Sequence, residues 1–242
     1  MRLGMLIPSR GRPGNIARLW QSMQDTCTGD TELLVGLDEN DPSRSEYPPG
    51  PRYFTSNVLR FVTAWVNYLA VETLDEFDCV GHFGDDNTCD TKGWDERICD
   101  SLTRQPFAFA NDLYPRTPGS LSCHVFMRSD VVRVLGYAGP PEISHMYVDV
   151  AWMAWCVSCG YEYLDDVRLP HHHYTMGASH DQTYADSYAQ TGVNLQAWHA
   201  YSRRSGEGGL NDDIYKLGGK PFSQDQLAVF NRDLNIPEVW GG

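Results

Sequence analysis

Lysine is nearly missing from this chain. Only Lys92, Lys216 and Lys220 occur in 242 residues, against sixteen arginines, and the net charge is −13. So acidic a chain is not drawn non-specifically to nucleic acid or to anionic membrane, although a local basic groove can outweigh the total. Long apolar runs are also lacking. No window approaches the roughly 18 apolar residues of a membrane span. The N-terminal run Met1-Arg2-Leu3-Gly4-Met5-Leu6-Ile7-Pro8 is too short for a signal peptide and has no cleavage site, so it reads as a first strand. There is no internal repeat and no low-complexity tract. The glycine spacing of a dinucleotide fold and the lysine-bearing phosphate loop are both absent, which removes the two commonest nucleotide signatures.

What remains is an ordinary globular composition, 41% apolar, long enough for one large or two small domains. The seven cysteines are scattered and odd in number, which suggests reduced thiols and a cytoplasmic setting. The single CxxC, Cys156 to Cys159, shares a helical face with Val148, Trp152 and Trp155. Both thiols therefore read as core rather than as a redox or zinc pair.

The first half alternates strand and helix. Strands are expected at Leu3 to Ile7, Glu32 to Leu37, Asp78 to Phe83 and Phe107 to Ala110. Helices are expected at Asn15 to Met23, Phe61 to Leu74 and Trp94 to Leu102. The Pro-, Ser- and Gly-rich stretch from Pro42 to Pro51 reads as a loop. This order predicts an α/β fold with a mostly parallel sheet flanked by helices. The second half departs from that rhythm. A strand is expected at Ser122 to Met127, a helix capped by Ser129 through Leu135, and a longer helix or helix pair over His145 to Cys159. Tyr161 to Leu169 reads as a strand region and Asp181 to Arg204 as helical. A single domain is expected over 1–205, with a nucleotide-binding half at 1–110, an acceptor half at 111–205, and an irregular Gly-rich tail at 206–242.

Four clusters fall at expected strand ends. The most informative is Gly84-Asp85-Asp86-Asn87, directly after the apolar run Cys79-Val80-Gly81-His82-Phe83. Two charges about 4 Å apart repel by roughly 4 kcal/mol at an effective dielectric near 20. A divalent cation would turn that repulsion into binding, and open α/β sheets bind ligands at the carboxyl ends of their strands. Asp and Asn also favour turns, so the segment alone reads equally as a surface turn. The second cluster, Pro8-Ser9-Arg10-Gly11-Arg12-Pro13-Gly14, offers Arg10 and Arg12 to a phosphate or a base, or is a solvated basic turn. The third, Asp38-Glu39, can accept hydrogen bonds from a base or ribose, or is an acidic loop. The fourth is His171-His172-His173. In an extended segment His171 and His173 point the same way and could share a metal, or form a bland surface run.

Taken in order, these clusters, with Gly93-Trp94-Asp95 and Tyr147-x-Asp149-x-x-Trp152 between them, resemble nucleotide-sugar-dependent glycosyltransferases of the GT-A fold. The likeness covers roughly residues 2 to 190 and is nearest to small family-two-like enzymes of bacteriophages. The resemblance implies a GT-A sheet with a smaller antiparallel acceptor region. It implies Asp86 with His173, or His171, as ligands of Mn²⁺ or Mg²⁺, and Asp85 as a ribose or second contact. Pro8, Arg10, Arg12, Asp38 and Asn67 match donor-binding positions, and Asp149 matches the catalytic base of inverting members. Asn87 stands where the motif's later position leaves the metal contact open. Relatives carry a Lys shortly after the His pair, where this chain has Met176-Gly177-Ala178.

The chemistry suits these residue types. Transfer from a UDP- or GDP-linked sugar needs charge stabilisation at the leaving diphosphate, which a metal and Arg supply. The acceptor hydroxyl needs a base, and a carboxylate at a helix start is favoured in its ionised form. The acceptor expected is a hydroxymethylated DNA base, a protein or a glycan, with no membrane partner. The enzyme would act in the cytoplasm, that of the host if phage-encoded. Two other classes fit less of the pattern: a metal-dependent hydrolase using the histidines with Asp165-Asp166, and a non-catalytic nucleotide- or carbohydrate-binding protein. Trp94, Tyr114, Tyr147, Trp152 and Trp155 offer stacking surfaces, but aromatics at helical spacing are more often core.

Overall fold

In the computed structural model, which describes residues 1–58, 61–114, 122–173 and 182–238, the apolar runs of the first half form strands. Leu3–Ser9 (β1) is followed by helix Pro13–Thr26 (α1), strand Thr31–Asp38 (β2), a 3-10 turn at Arg44–Glu46 and strand Arg52–Ser56 (β3). Helix Val62–Glu72 (α2), strand Cys79–His82 (β4), helix Trp94–Leu102 (α3) and strand Phe107–Asn111 (β5) complete that half. The second half contributes Val125–Arg128 (β6), Ser129–Leu135 (α4), Val148–Cys159 (α5) and Tyr161–Arg168 (β7). Among the described residues, β7 is followed by helices Gln182–Ala189 (α6), Thr191–Arg203 (α7), Leu210–Lys216 (α8) and Gln224–Asp233 (α9).

The strands make one seven-stranded sheet in the order β3-β2-β1-β4-β6-β5-β7. β1 pairs in parallel with β2 and β4, β2 with β3, and β5 with β7. Only β6 is reversed, antiparallel to both β4 and β5. The expected antiparallel region is thus one strand of an otherwise parallel sheet. The consequence for the site is geometric. The six parallel strands all end at one edge, and β6 begins there.

Alternating side chains feed a core on each face. Leu3, Met5 and Ile7 of β1 with Leu33, Val35 and Leu37 of β2 pack on one side with Leu19, Trp94 and Ile98. Leu6 and Leu34 face the other way, toward Trp65, Leu69, Trp152 and Trp155. Burying each such side chain contributes about 1.5–3 kcal/mol. Trp94, Trp152 and Trp155 are therefore core residues, not stacking platforms. The indole N–H of Trp152 donates to the Ala138 carbonyl (2.7 Å) and that of Trp155 to the Tyr201 hydroxyl (2.8 Å).

Asp95 shows what the Gly93-Trp94-Asp95 motif does in this fold. Its fully buried carboxylate accepts from the backbone N–H groups of Thr28 (3.1 Å) and Gly29 (2.9 Å) and from the Thr31 hydroxyl (2.8 Å). It thereby fastens α3 to the turn that launches β2. Each donor left bare there would cost about 1–3 kcal/mol.

Three expectations are corrected. β3 comes after the predicted loop and adds an edge strand that its half-exposed residues do not announce. Ser129 opens α4 as its first residue and donates its hydroxyl to the Phe77 carbonyl (2.7 Å), so it is not the cap. The segment after residue 206, expected to be irregular, carries α8 and α9. Leu210 and Ile214 are fully buried in the same core as Trp155. Asp213, buried beside them, accepts 2.6 Å hydrogen bonds from Tyr137 and Tyr201. Ser223 and Gln226 cap α9 reciprocally. Among the described residues no helix is long and apolar enough to cross a membrane.

Candidate active site

The carboxyl edge of the sheet gathers most of the residues singled out by the sequence. Asp85 and Asp86 lie just after β4 and are 5% and 6% exposed, which rules out a surface turn. One Asp85 oxygen accepts from the Ser9 hydroxyl at the end of β1 (2.6 Å) and the other from Arg12 (3.0 Å). Burial, with the neighbouring Asp86 charge, raises the Asp85 carboxyl above its ordinary range despite Arg12 and Ser9. Asp86 Oδ1 lies 3.3 Å from His171 Nε2, and the Asp86 carbonyl accepts from the His172 N–H (3.0 Å).

The two arginines of the first loop have different partners. Arg10 donates to Asp38 (2.6 Å) and to Asn40 (2.7 Å), while Trp65 Nε1 donates to the other Asp38 oxygen (2.9 Å). Gly11 takes a positive φ of 67° in this loop, a conformation that glycine adopts without strain. Its N–H donates to Asp41 (2.8 Å), so the Arg10–Arg12 turn is fastened to the turn after β2. Pro8 sits inside β1 opposite Gly36, beyond Met5 where the β4 ladder ends.

Asn87 and Gly84 complete the surroundings of Asp86. Asn87 Nδ2 donates to the Leu169 carbonyl (3.0 Å), and its buried Oδ1 has no hydrogen-bond partner among the described residues. A Cβ at Gly84 would collide with Asp86 Oδ1 and press on Asn87 Oδ1 at 3.3 Å. Both oxygens therefore lie beside Gly84, and a side chain at residue 84 would force Asp86 to shift. A carboxylate oxygen, an orphaned amide oxygen and an imidazole nitrogen suit a cation such as Mn²⁺ or Mg²⁺. The residues fit the metal that the resemblance implies.

His171, rather than His173, faces Asp86. Burial alone would lower the His171 pKa, but Asp86 and Cys123 outweigh it and push it up to about 11. The resulting ion pair is fully present below the free-histidine pKa near 6.5 and is lost as pH rises through the raised value. A metal binding there displaces a proton. His173 packs its ring against His171 (5.2 Å between centroids) and Tyr114 (5.5 Å). His172 Nε2 bonds the Thr88 hydroxyl (2.9 Å).

Two expected contacts lie elsewhere. Asn67 accepts from the N–H groups of Ala138 and Gly139 and donates to the Gly139 carbonyl, each at 2.8 Å, so its amide braces the turn that precedes α5. Asp166 is exposed and paired with Arg97 (2.6 Å) on the outer strand, and Asp165 accepts from Asn111 (3.1 Å). Neither carboxylate joins the histidines as a hydrolase would need. Asp149 occupies the first turn of α5, where its Oδ1 accepts from the Val150 N–H (3.0 Å). Tyr147, just before the helix, takes a positive φ of 71°. The Met176-Gly177-Ala178 position lies outside the described residues.

Sequence reasoning gave no role to Ser9, Asp41, Asp112, Cys123 or His145. Asp112 comes directly after β5 and was findable as a strand-end carboxylate. Cys123 carries no signal, because its partner His171 is remote in sequence. His145 lies in an irregular stretch before α5. Burial first, then Arg12, lowers its pKa to about 4, with Asp86 opposing.

His82, at the end of β4, behaves alike. Its Nδ1 bonds the Leu6 carbonyl (2.8 Å), and burial lowers its pKa to about 4. Both rings are neutral when folded and take up a proton near pH 6.5 when unfolded. Stability is therefore present above that pH and falls as pH drops toward 4. His82 alone should remove about 2 kcal/mol of stability by pH 5. Urea midpoints at pH 7.5 and 5 measure this, and equal midpoints would disprove it.

No protein-family model and no curated protein matches this sequence. Its fold does have solved counterparts. TarS of S. aureus, residues 1–349 in complex with UDP, superimposes with a TM-score of 0.57 at 10% identity, covering 89% of this chain and 68% of that one. The mannosyltransferase PcManGT from Pyrobaculum calidifontis, in complex with GDP-Man and Mn²⁺, gives 0.58 at 10% identity over 89% and 69%. Glucosyl-3-phosphoglycerate synthase from Mycobacterium tuberculosis, with Mn²⁺, UDP and phosphoglyceric acid, gives 0.56 at 10% identity over 81% and 78%. At that identity the likeness establishes the fold. It is the GT-A fold, with its mostly parallel sheet flanked by helices.

Proposed function

We propose that this chain is a metal-dependent glycosyltransferase that moves a sugar from a UDP- or GDP-linked donor to an acceptor hydroxyl. The observation that carries the reading is the meeting of buried Asp85 and Asp86 with Arg12 and His171 at the carboxyl edge of a GT-A sheet. The three solved counterparts hold UDP or GDP-Man, two of them with Mn²⁺.

Asp86 and His171, with Asn87 beside them, would hold the divalent metal. When bound, such a metal supplies Lewis-acid stabilisation of a leaving diphosphate. Asp85 orients Arg12 through their ion pair, and the guanidinium adds positive charge where the diphosphate departs. Asp38, gripped by Arg10 and Trp65, presents a fixed carboxylate to the donor's base or ribose. Asp149 at the start of α5 takes the proton from the acceptor hydroxyl, which makes the reaction inverting. For the acceptor, the charge of −13 favours a protein or glycan over a hydroxymethylated DNA base of the phage type. The seven free thiols accord with work in a reducing cytoplasm.

Calorimetric titration with UDP and GDP, with and without Mn²⁺, followed by transfer assays over a panel of nucleotide sugars, tests this. Metal-dependent nucleotide binding is the expected result. Absence of binding to any nucleoside diphosphate under either condition would overturn the proposal.

A further inference from the structure

A second donor set touches the first through one ring. Asp112 after β5, Cys123 before β6 and His171 after β7 each bring one ligand atom within 4.8 Å of the others. Cys123 Sγ is 3.3 Å from His171 Nδ1 and 3.6 Å from Asp112 Oδ2. In a tetrahedral zinc site the usual bond lengths place sulfur about 3.5 Å from nitrogen and about 3.6 Å from oxygen. The three atoms already stand close to those separations. The cluster is also braced: the His171 N–H donates to the Asp112 carbonyl (2.9 Å), and the Tyr114 N–H to Asp112 Oδ1 (3.1 Å).

The chemistry of this set differs from that around Asp86. A thiolate is a soft ligand, and with imidazole it favours zinc over manganese or magnesium. His171 belongs to both sets, Nδ1 toward Cys123 and Nε2 toward Asp86. A neutral imidazole has one lone pair and one N–H. If a metal takes Nδ1, the proton sits on Nε2 and the nitrogen facing Asp86 no longer accepts a cation.

We propose that Asp112, Cys123 and His171 form a zinc site, and that zinc held there antagonises the Mn²⁺ or Mg²⁺ group at Asp86 by taking the shared ring. The zinc site stands on its own geometry. The antagonism rests on the transferase reading.

The full chain, stripped of metal by chelation, is titrated with Co²⁺ as a spectroscopic substitute for zinc. The expected result is a thiolate-to-cobalt charge-transfer band that saturates at one equivalent, is bleached by Zn²⁺, and is missing from Cys123→Ser. Cobalt binding without that band, or a band that survives in Cys123→Ser, would overturn the site. Peptide mapping of thiol alkylation on the native sequence decides independently if that variant misfolds. Zinc should protect Cys123 and leave labelling of the other part-exposed thiols, Cys27 and Cys159, unchanged. Absence of protection at Cys123 refutes the site. For the antagonism, one equivalent of zinc should weaken Mn²⁺-dependent UDP or GDP binding by at least about tenfold, as loss of a metal's supporting ligand does. Undiminished nucleotide binding with zinc bound would refute it. If no nucleotide binds at all, the cobalt band still reports on the site.

Discussion

Asp86→Asn should reduce sugar transfer at least about 10²–10³-fold, the loss typical when one preorganised electrostatic contact is removed from a developing charge. The substitution keeps the shape of the side chain and removes the charge. Asp86 is buried between Gly84, where a Cβ would displace its Oδ1, and His171 at 3.3 Å. Asp85 is already engaged through both oxygens, by Ser9 and Arg12, which leaves Asp86 as the carboxylate facing His171. The same change should abolish the thermal stabilisation given by Mn²⁺. A cation at 100 times its Kd stabilises the folded protein by about 2.7 kcal/mol, and that increment should vanish while the metal-free melting curve stays cooperative. Melting curves with and without Mn²⁺, run beside the transfer assay, measure both effects. Full activity in Asp86→Asn would remove the metal from its assigned place.

Asp149→Asn should lower kcat by about 10²–10⁴-fold, the range for loss of a general base, and leave the Kd for nucleoside diphosphate unchanged. The separation of effects comes from position. Asp149 sits on the first turn of α5 with its Oδ1 turned to the Val150 N–H, and it makes no part of the Asp85–Arg12 ion pair. Amide and carboxylate are close in size and both can accept from the Val150 N–H, so the helix start should persist. Calorimetry with UDP or GDP gives the binding arm, and single-turnover transfer gives the chemical arm. A parallel loss of binding would make Asp149 a donor contact instead of a base. Unchanged turnover would point to a retaining course with another residue in charge.

The sheet and its active edge were legible because the strands of the first half are buried on both faces. Such strands read as apolar runs, and each run gives way abruptly to polar residues: Asp38 as the last residue of β2, Asp85-Asp86 after β4. The elements that escaped notice lack that contrast. β3 is half-exposed at the sheet edge and comes after a Pro-rich loop. α8 is short and flanked by glycines, α9 is mostly exposed, and α8 is fixed by Asp213, whose tyrosine partners Tyr137 and Tyr201 come from other segments. The choice between His171 and His173 was equally hidden. Alternation says that both point one way, but only the bridge from Asn87 to His171 places the first of them against Asp86. Asn67 looked like a donor contact and is a backbone brace, a role that depends on a turn about seventy residues later.

The reversal of β6 has an evolutionary consequence. Six strands deliver to the edge whatever comes after them, whereas β6 delivers what comes just before it. Cys123 is therefore held by the sheet register and not by the length of the chain leading up to it. Its place relative to the histidine is set across the sheet, where β5 lies between β6 and β7. A single codon change at position 123 would then add or erase sensitivity to a soft metal while leaving the residues after β1, β2 and β4 untouched.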